Sequence, residues 1–326
     1  MGDNTHNSHN NLTKAAYTVV TPGYLAHAIS LKKSFLQHNP DAEFFICILG
    51  NESHCPELNV DNCYFINSLS DSRIEGMIRR YQPFEMNCAL KPFFATHILE
   101  QHSHVQRLVY LDSDMYVFGP FASLTDAAIT LSPHRTKYTA YLPEPKNYSI
   151  ISLNRYGVYN AGYFELQRKA EAFAFLDWWK KLLEYTGYEK PDEHLFSDQL
   201  WLNLVHSFFD DVYINKNPGY NVAVWNLIER RVEERNGTYY VNNQPLVLFH
   251  FSKYNMKEPD RLVYYDEPYL TFANFPVLKT IYQKYREGLL EAGYEKFKSL
   301  LYPFSFQKAG KKKTWWKKTI FLISLD

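Results

Sequence analysis

Paired cysteines, an excess of one charge and any long apolar run are what this 326-residue chain lacks. Cys47, Cys55, Cys63 and Cys88 show no Cys-x-x-Cys spacing and no His-rich companion cluster, which argues against a zinc ribbon or finger. Lys plus Arg total 35, and so do Asp plus Glu, so the formal charge is zero and nothing global points to a nucleic-acid partner. No signal-peptide pattern opens the chain, and a reducing, cytoplasmic setting is expected. No internal repeat is evident. With 46% hydrophobic and 17% aromatic residues, the chain has ample material for a substantial globular core. The polar stretch 1–14 reads as a disordered tail, in which a metal role for His6 and His9 is not favoured.

The rest is organised around Arg107 to Gly119, where the apolar run Leu108 to Leu111 ends in Asp112-Ser113-Asp114. The run reads as a fully buried strand of a parallel sheet, and in open α/β sheets ligands collect at the carboxyl ends of strands. Side chains alternate in an extended segment, so both carboxylates would face one side and offer hard oxygen ligands to Mg²⁺ or Mn²⁺. The ordinary alternative is turn or cap chemistry.

Ala15 to Val20 reads as the opening strand, stopped by Thr21-Pro22-Gly23-Tyr24, then an amphipathic helix from Leu25 and a strand Glu43 to Leu49. Cys63 to Ile66 is a further short strand, Cys88 to Gln101 a helix, Ala127 to Ser132 a strand, and 133–149 a polar loop suited to covering a site. In Tyr159 to Leu166 the small residues of Asn160-Ala161-Gly162 allow close approach of a ring, with a β-bulge as the competing reading. Ala170 to Tyr185 is a helix whose Trp178 and Trp179 belong to the core. Ser197 is expected to cap a helix that presents Asp198 and Gln199 in its first turn. His250 closes the strand from Pro245, with Lys253 just beyond. It is either a structural histidine or a third ligand for the Asp pair.

These clusters, in this order over about 15–257, resemble the retaining family-eight glycosyltransferases of GT-A type, to which glycogenin and bacterial lipopolysaccharide galactosyltransferases belong. The resemblance implies a Rossmann-like α/β fold, a mixed central sheet flanked by helices, with catalytic domain 15–270 and a C-terminal helical extension 271–303. It implies a metal-dependent enzyme moving a sugar from a nucleotide-diphosphate sugar, UDP-linked, to a glycan or lipid-linked acceptor in bacterial surface polysaccharide synthesis. Asp112, Asp114 and His250 would hold Mn²⁺ or Mg²⁺. Thr21, Tyr24, Lys91, Ser113, Asn160, Ala161 and Gly162 would join them at the donor, and Asp198 and Gln199, with Asn203 near, would stand at the reacting centre. The family's His-Gly and Lys-Pro-Trp pattern is altered here, so the resemblance leaves open which of Lys253 and Lys257, if either, faces the diphosphate, with Lys253 as the candidate. A sugar-nucleotide nucleotidyltransferase is the alternative, but Thr21 to Tyr24 does not form its Gly-rich basic loop. A silent sugar-binding protein is the other, and it would be expected to lose the Asp pair or Asp198.

Phe275 to Leu301 reads as one helix packed on the domain. The tail 304–326 combines Lys311 to Lys313, Trp315, Trp316 and Phe321 in a segment too short to span a bilayer but suited to an anionic membrane surface. A solvated basic tail is the competing reading.

Overall fold

The computed structural model describes residues 13–55, 58–137, 150–265 and 267–305. The tails 1–12 and 306–326 and most of the 133–149 loop lie outside them. Strand β1 (Thr13–Val20) leads through a single 3₁₀ turn, Pro22–Tyr24, into α1 (Leu25–His38), β2 (Glu43–Ile48) and β3 (Cys63–Phe65). Next come α2 (Arg73–Arg80), α3 (Pro83–Ala89), α4 (Lys91–Gln101), β4 (Val105–Leu111), β5 (Met115–Val117) and β6 (Ile129–Pro133). After α5 (Ile150–Tyr156), β7 (Tyr159–Gln167) and α6 (Ala170–Thr186), short strands β8 (Glu189–Lys190) and β9 (Leu195–Phe196) form a hairpin. Then follow α7 (Val205–Phe208), β10 (Val212–Ile214), the meander β11 (Val232–Arg235), β12 (Thr238–Val241) and β13 (Gln244–Pro245), β14 (Leu248–His250), α8 (Val277–Glu291) and α9 (Tyr294–Phe297).

Seven strands make one mixed sheet in the order β10-β6-β7-β4-β1-β2-β3. All neighbours are parallel except β7, which runs against both β4 and β6. The parallel sheet expected around Leu108 to Leu111 is therefore parallel only on the β1 side. One apolar cluster joins Tyr17, Phe45, Tyr110 and Phe164 of the sheet to α4 and α6. A second places α1 on the opposite face through Leu25, Leu31 and Phe35. The third gathers Phe249 and Phe251 with Leu278, Ile281, Tyr282, Tyr285 and Leu289 of α8. Each such side chain is worth about 1.5–3 kcal/mol when fully buried, so α8 is a structural part of the fold rather than a decoration on it.

Three expected helices differ in detail. The helix expected at 88–101 is two pieces, because Pro92 has no N–H to donate and a new helix starts at Lys91 with Pro92 in its first turn. The helix expected at 275–301 breaks at Gly293, whose φ of 84° is left-handed, and a short turn, α9, follows. Ser197 caps nothing: it sits at φ 45° in the turn after β9, its hydroxyl makes no hydrogen bond, and a 3₁₀ helix begins only at Leu200. Helices α2 and α5 were not read from the sequence.

Candidate functional site

Leu111 ends β4, and the chain turns at once: Met115 N–H donates to Asp112 O at 3.1 Å before β5 starts. Asp112 and Asp114 therefore converge through a turn, not through the alternation of an extended strand. The tether is set by neighbours, since Asp112 N–H donates to Gly162 O at 2.8 Å and Phe251 N–H to Asp114 O at 2.8 Å. Strand β14 pairs antiparallel with β5 in a register that puts His250 opposite Met115. His250 Nε2 lies 3.1 Å from Asp114 Oδ1, and ligand atoms of Asp112, Asp114 and His250 all fall within 4.8 Å of one another.

This set fits a small divalent cation. It offers two hard carboxylates and one imidazole nitrogen, the ring of His250 is fixed edge-on to Trp225, and β7 brings Gly162 beside the ligands with Asn160 Oδ1 next to it. A Cβ at Gly162 would come within 2.7 Å of Asp112 Oδ2 and 2.8 Å of His250 Cε1. Gly162→Ala should accordingly leave the sheet intact but weaken Mn²⁺ binding by roughly 10–100-fold, the range typical for disturbing groups that orient metal ligands. Isothermal titration checks this, and unchanged affinity would show that the two ligands can move aside. Burial alone would keep His250 neutral and Asp114 protonated. Each instead stabilises the other's charge, so the imidazole's proton affinity rises and the carboxyl's falls.

Lys91 is the centre of the adjoining network. It lies at the start of α4, only 2% exposed, and its Nζ reaches Asp198 Oδ2 at 2.8 Å, Ala161 O at 3.0 Å and Asp112 Oδ1 at 3.2 Å. Burial disfavours the ammonium, but the Asp112 and Asp198 charges outweigh it and raise its pKa. Asp198 is itself buried, and desolvation, with Asp112 as a lesser cause, holds its carboxyl above the usual range against the pull of Lys91. Tyr110 donates its hydroxyl to Asp112 Oδ1 at 2.6 Å.

Gln199 works on the backbone of β7. Its Oε1 accepts from Asn160 Nδ2 at 3.1 Å and Ala161 N–H at 3.2 Å, while its Nε2 donates to Tyr156 O at 2.8 Å. Asn203 accepts from Val158 N–H at 2.8 Å and belongs to the same support. Three polar side chains here escaped sequence reading. His134, just past β6, donates from Nδ1 to Val158 O and accepts from Asn160 at Nε2; burial depresses its pKa to about 4. Asn221, at φ 50°, donates to Asn160 Oδ1 at 3.1 Å. His27, on α1, stacks on Tyr24 with ring centroids 4.6 Å apart; burial, against the nearby Asp114 charge, lowers its pKa to about 4. A strand-end position, as for His134, is the one signal the sequence offered.

Thr21 precedes the 3₁₀ turn in extended conformation, and Tyr24 at its end is 52% exposed, beside α1. Lys253 is exposed in a left-handed turn beyond β14, where the charge it acts on is Glu189. Ser113 lies in the turn between the two aspartates. A cavity of about 550 Å³ beside β3, lined by Asn51, Glu52, Tyr64 and Asn67 among others, includes none of these residues. The Asp112, Asp114 and His250 cluster lies instead at the carboxyl edge of β4.

Fold and side chains together define an α/β protein with a carboxylate and imidazole cluster, a candidate cation site, at the carboxyl edge of its central sheet. No family model matches the chain. It is similar to the uncharacterized protein YfnF of Bacillus subtilis (strain 168), 24% identical over 283 residues, 84% of this chain and 91% of that protein. It is also similar to YfnD of the same organism, 26% identical over 173 residues, 51% of this chain and 53% of that protein. Similar solved structures include the galactosyltransferase LgtC with donor and acceptor sugar analogs, at 14% identity, TM-score 0.44, covering 86% of this chain and 96% of that one. Another is a glycosyltransferase involved in glycosylation of the major capsid of PBCV-1, at 10% identity and TM-score 0.42, covering 76% and 96%. The bifunctional glycosyltransferase WbbM is a third, at 13% identity and TM-score 0.47, covering 89% of this chain and 52% of WbbM.

Proposed function

We propose that this chain is a metal-dependent, retaining glycosyltransferase that moves a hexose from a UDP-linked donor to a glycan or lipid-linked acceptor in bacterial surface polysaccharide or lipopolysaccharide synthesis. The observation that carries the reading is the meeting of Asp112, Asp114 and His250 with the buried Lys91 and Asp198 in one partly buried charge cluster. Mn²⁺ or Mg²⁺ held by the first three would neutralise charge developing on the departing diphosphate. Asp112 is shared between that site and Lys91, so donor binding and the reacting centre are mechanically linked. Asn160, Ala161 and Gly162 form the floor for the sugar ring, held in place by Gln199, His134 and Asn221. The transition state of glycosyl transfer is oxocarbenium-like. Asp198 supplies a negative charge for it, and its pairing with Lys91 favours the stabiliser role over that of covalent nucleophile. Thr21 and Tyr24 would border the base, and Lys253 would face the diphosphate.

The deciding experiment incubates the protein with a panel of nucleotide sugars and follows release of the nucleoside diphosphate by mass spectrometry, with Mn²⁺ and with excess EDTA. Metal-dependent release of UDP from one donor supports the reading. Formation of a nucleoside triphosphate and a sugar 1-phosphate once pyrophosphate is added would instead indicate a nucleotidyltransferase, and binding without any turnover a silent sugar-binding protein.

No helix among the described residues is long and apolar enough to cross a membrane. The basic, indole-bearing tail gives a lipid-linked acceptor a surface to be met on. Tyr302 and Phe304 pack on the first apolar cluster, so truncation belongs after Ser305. That truncation should abolish co-sedimentation with anionic liposomes while leaving donor hydrolysis within about twofold. Each lysine near an anionic surface contributes about 1 kcal/mol. Failure of the full-length chain to bind such vesicles at low salt would remove the membrane from the reading.

A further inference from the structure

At the opposite end of the central sheet, Glu43 opens β2, and His102 and His104 flank the turn between α4 and β4. One ligand atom from each lies within 4.8 Å of the other two. We infer that Glu43, His102 and His104 form a second divalent-cation site, selective for zinc-type ions and separate from the Asp112, Asp114 and His250 site.

The geometry is prepared by the fold. Parallel pairing of β2 and β4 with β1 between them brings the two strand starts to one edge, with Ala15 opposite Glu43 and Thr13 opposite Val105. His102 is fixed on every side. Its N–H donates to Ile98 O at 2.9 Å, its carbonyl accepts from Val105 N–H at 3.0 Å and from Arg168 Nη2 at 2.7 Å, and its ring lies 4.6 Å from that of Phe45. Tyr64 hydroxyl meets His102 Nε2 at 3.0 Å. That contact occupies Nε2, so the inferred site would use Nδ1, the arrangement in which a metal-bound imidazole is oriented through its far nitrogen. His104 Nε2 contacts Glu43 Oε1, and the two side chains are 52% and 32% exposed. An ion can therefore enter from solvent and keep a water as a further ligand.

Two imidazoles and one carboxylate with an open position are a donor set for zinc-type ions, whereas two carboxylates and one imidazole suit Mg²⁺ or Mn²⁺. The seven residues of β4, at about 3.3 Å each, put the two sites on the order of 20 Å apart, so each can be removed without touching the other.

The test uses the full chain and titrates Zn²⁺ by calorimetry and Co²⁺ by visible absorption. In Asp114→Asn, which disables the first site, one equivalent of Zn²⁺ should still bind, and Co²⁺ should give the intense bands of low-coordinate geometry. Adding His104→Gln at an exposed position or Glu43→Gln at a half-buried one, both outside the apolar clusters, should weaken that binding at least tenfold. His102→Ala should do the same, with circular dichroism confirming the fold. No Zn²⁺ binding by Asp114→Asn at micromolar concentration would overturn the inference. So would binding that persists unchanged when His104 and Glu43 are replaced.

Discussion

Asp114→Ala is expected to remove turnover and to leave the protein folded. Asp114 is one of two carboxylates in the candidate cation site, and its side chain pairs with His250 at 3.1 Å. Loss of a single group that stabilises charge developing in a transition state costs about 10²–10³ in kcat, and loss of a ligand for the ion that does so should cost at least as much. The fold survives because the backbone bond from Phe251 N–H to Asp114 O does not depend on the side chain. Nor is a charge stranded: His250 is drawn toward its protonated form by Asp114, and without that partner burial returns the imidazole to neutrality. Donor hydrolysis with Mn²⁺, followed alongside thermal unfolding, checks both halves. Activity within tenfold of the parent would remove Asp114 from the cation site.

Lys91→Met should act on stability instead, and strongly. Removing one partner of a buried ion pair typically costs about 3–5 kcal/mol because a charge is left without compensation. Asp198, 3% exposed and paired with Lys91 at 2.8 Å, is that charge, while Asp112 is partly open to solvent. The cost should depend on pH. Burial already raises the native pKa of Asp198 above its unfolded value, and deleting Lys91 raises it further. A group with a raised native pKa contributes stability below its unfolded pKa and loses it as pH rises through the native one. The deficit of Lys91→Met should therefore be larger at about pH 8 than at about pH 5. Lys91→Met with Asp198→Asn should recover much of it at high pH, since neither buried charge remains. Urea unfolding of the two variants is the measurement, and a Lys91→Met deficit below about 1 kcal/mol would mean that water reaches Asp198.

Local pattern determined a good deal by itself. Apolar, β-branched runs mark β1, β2, β4 and β6, because a strand buried on both faces needs such residues. The halt of β4 at Asp112 is legible for the same reason, since a carboxylate would be costly inside the sheet. Tertiary structure decided how distant pieces meet. The β5–β14 pairing carries His250 to Asp114, Lys91 is turned inward by the break ahead of Pro92, and Gln199 spends its amide on β7. The two imidazoles at the far edge met Glu43 only because β1 lies between β2 and β4. Periodicity in a sequence reports what one segment must bury. Which polar groups end up sharing a charge depends on the order in which strands assemble, and that is set by the packing of the whole sheet against its helices.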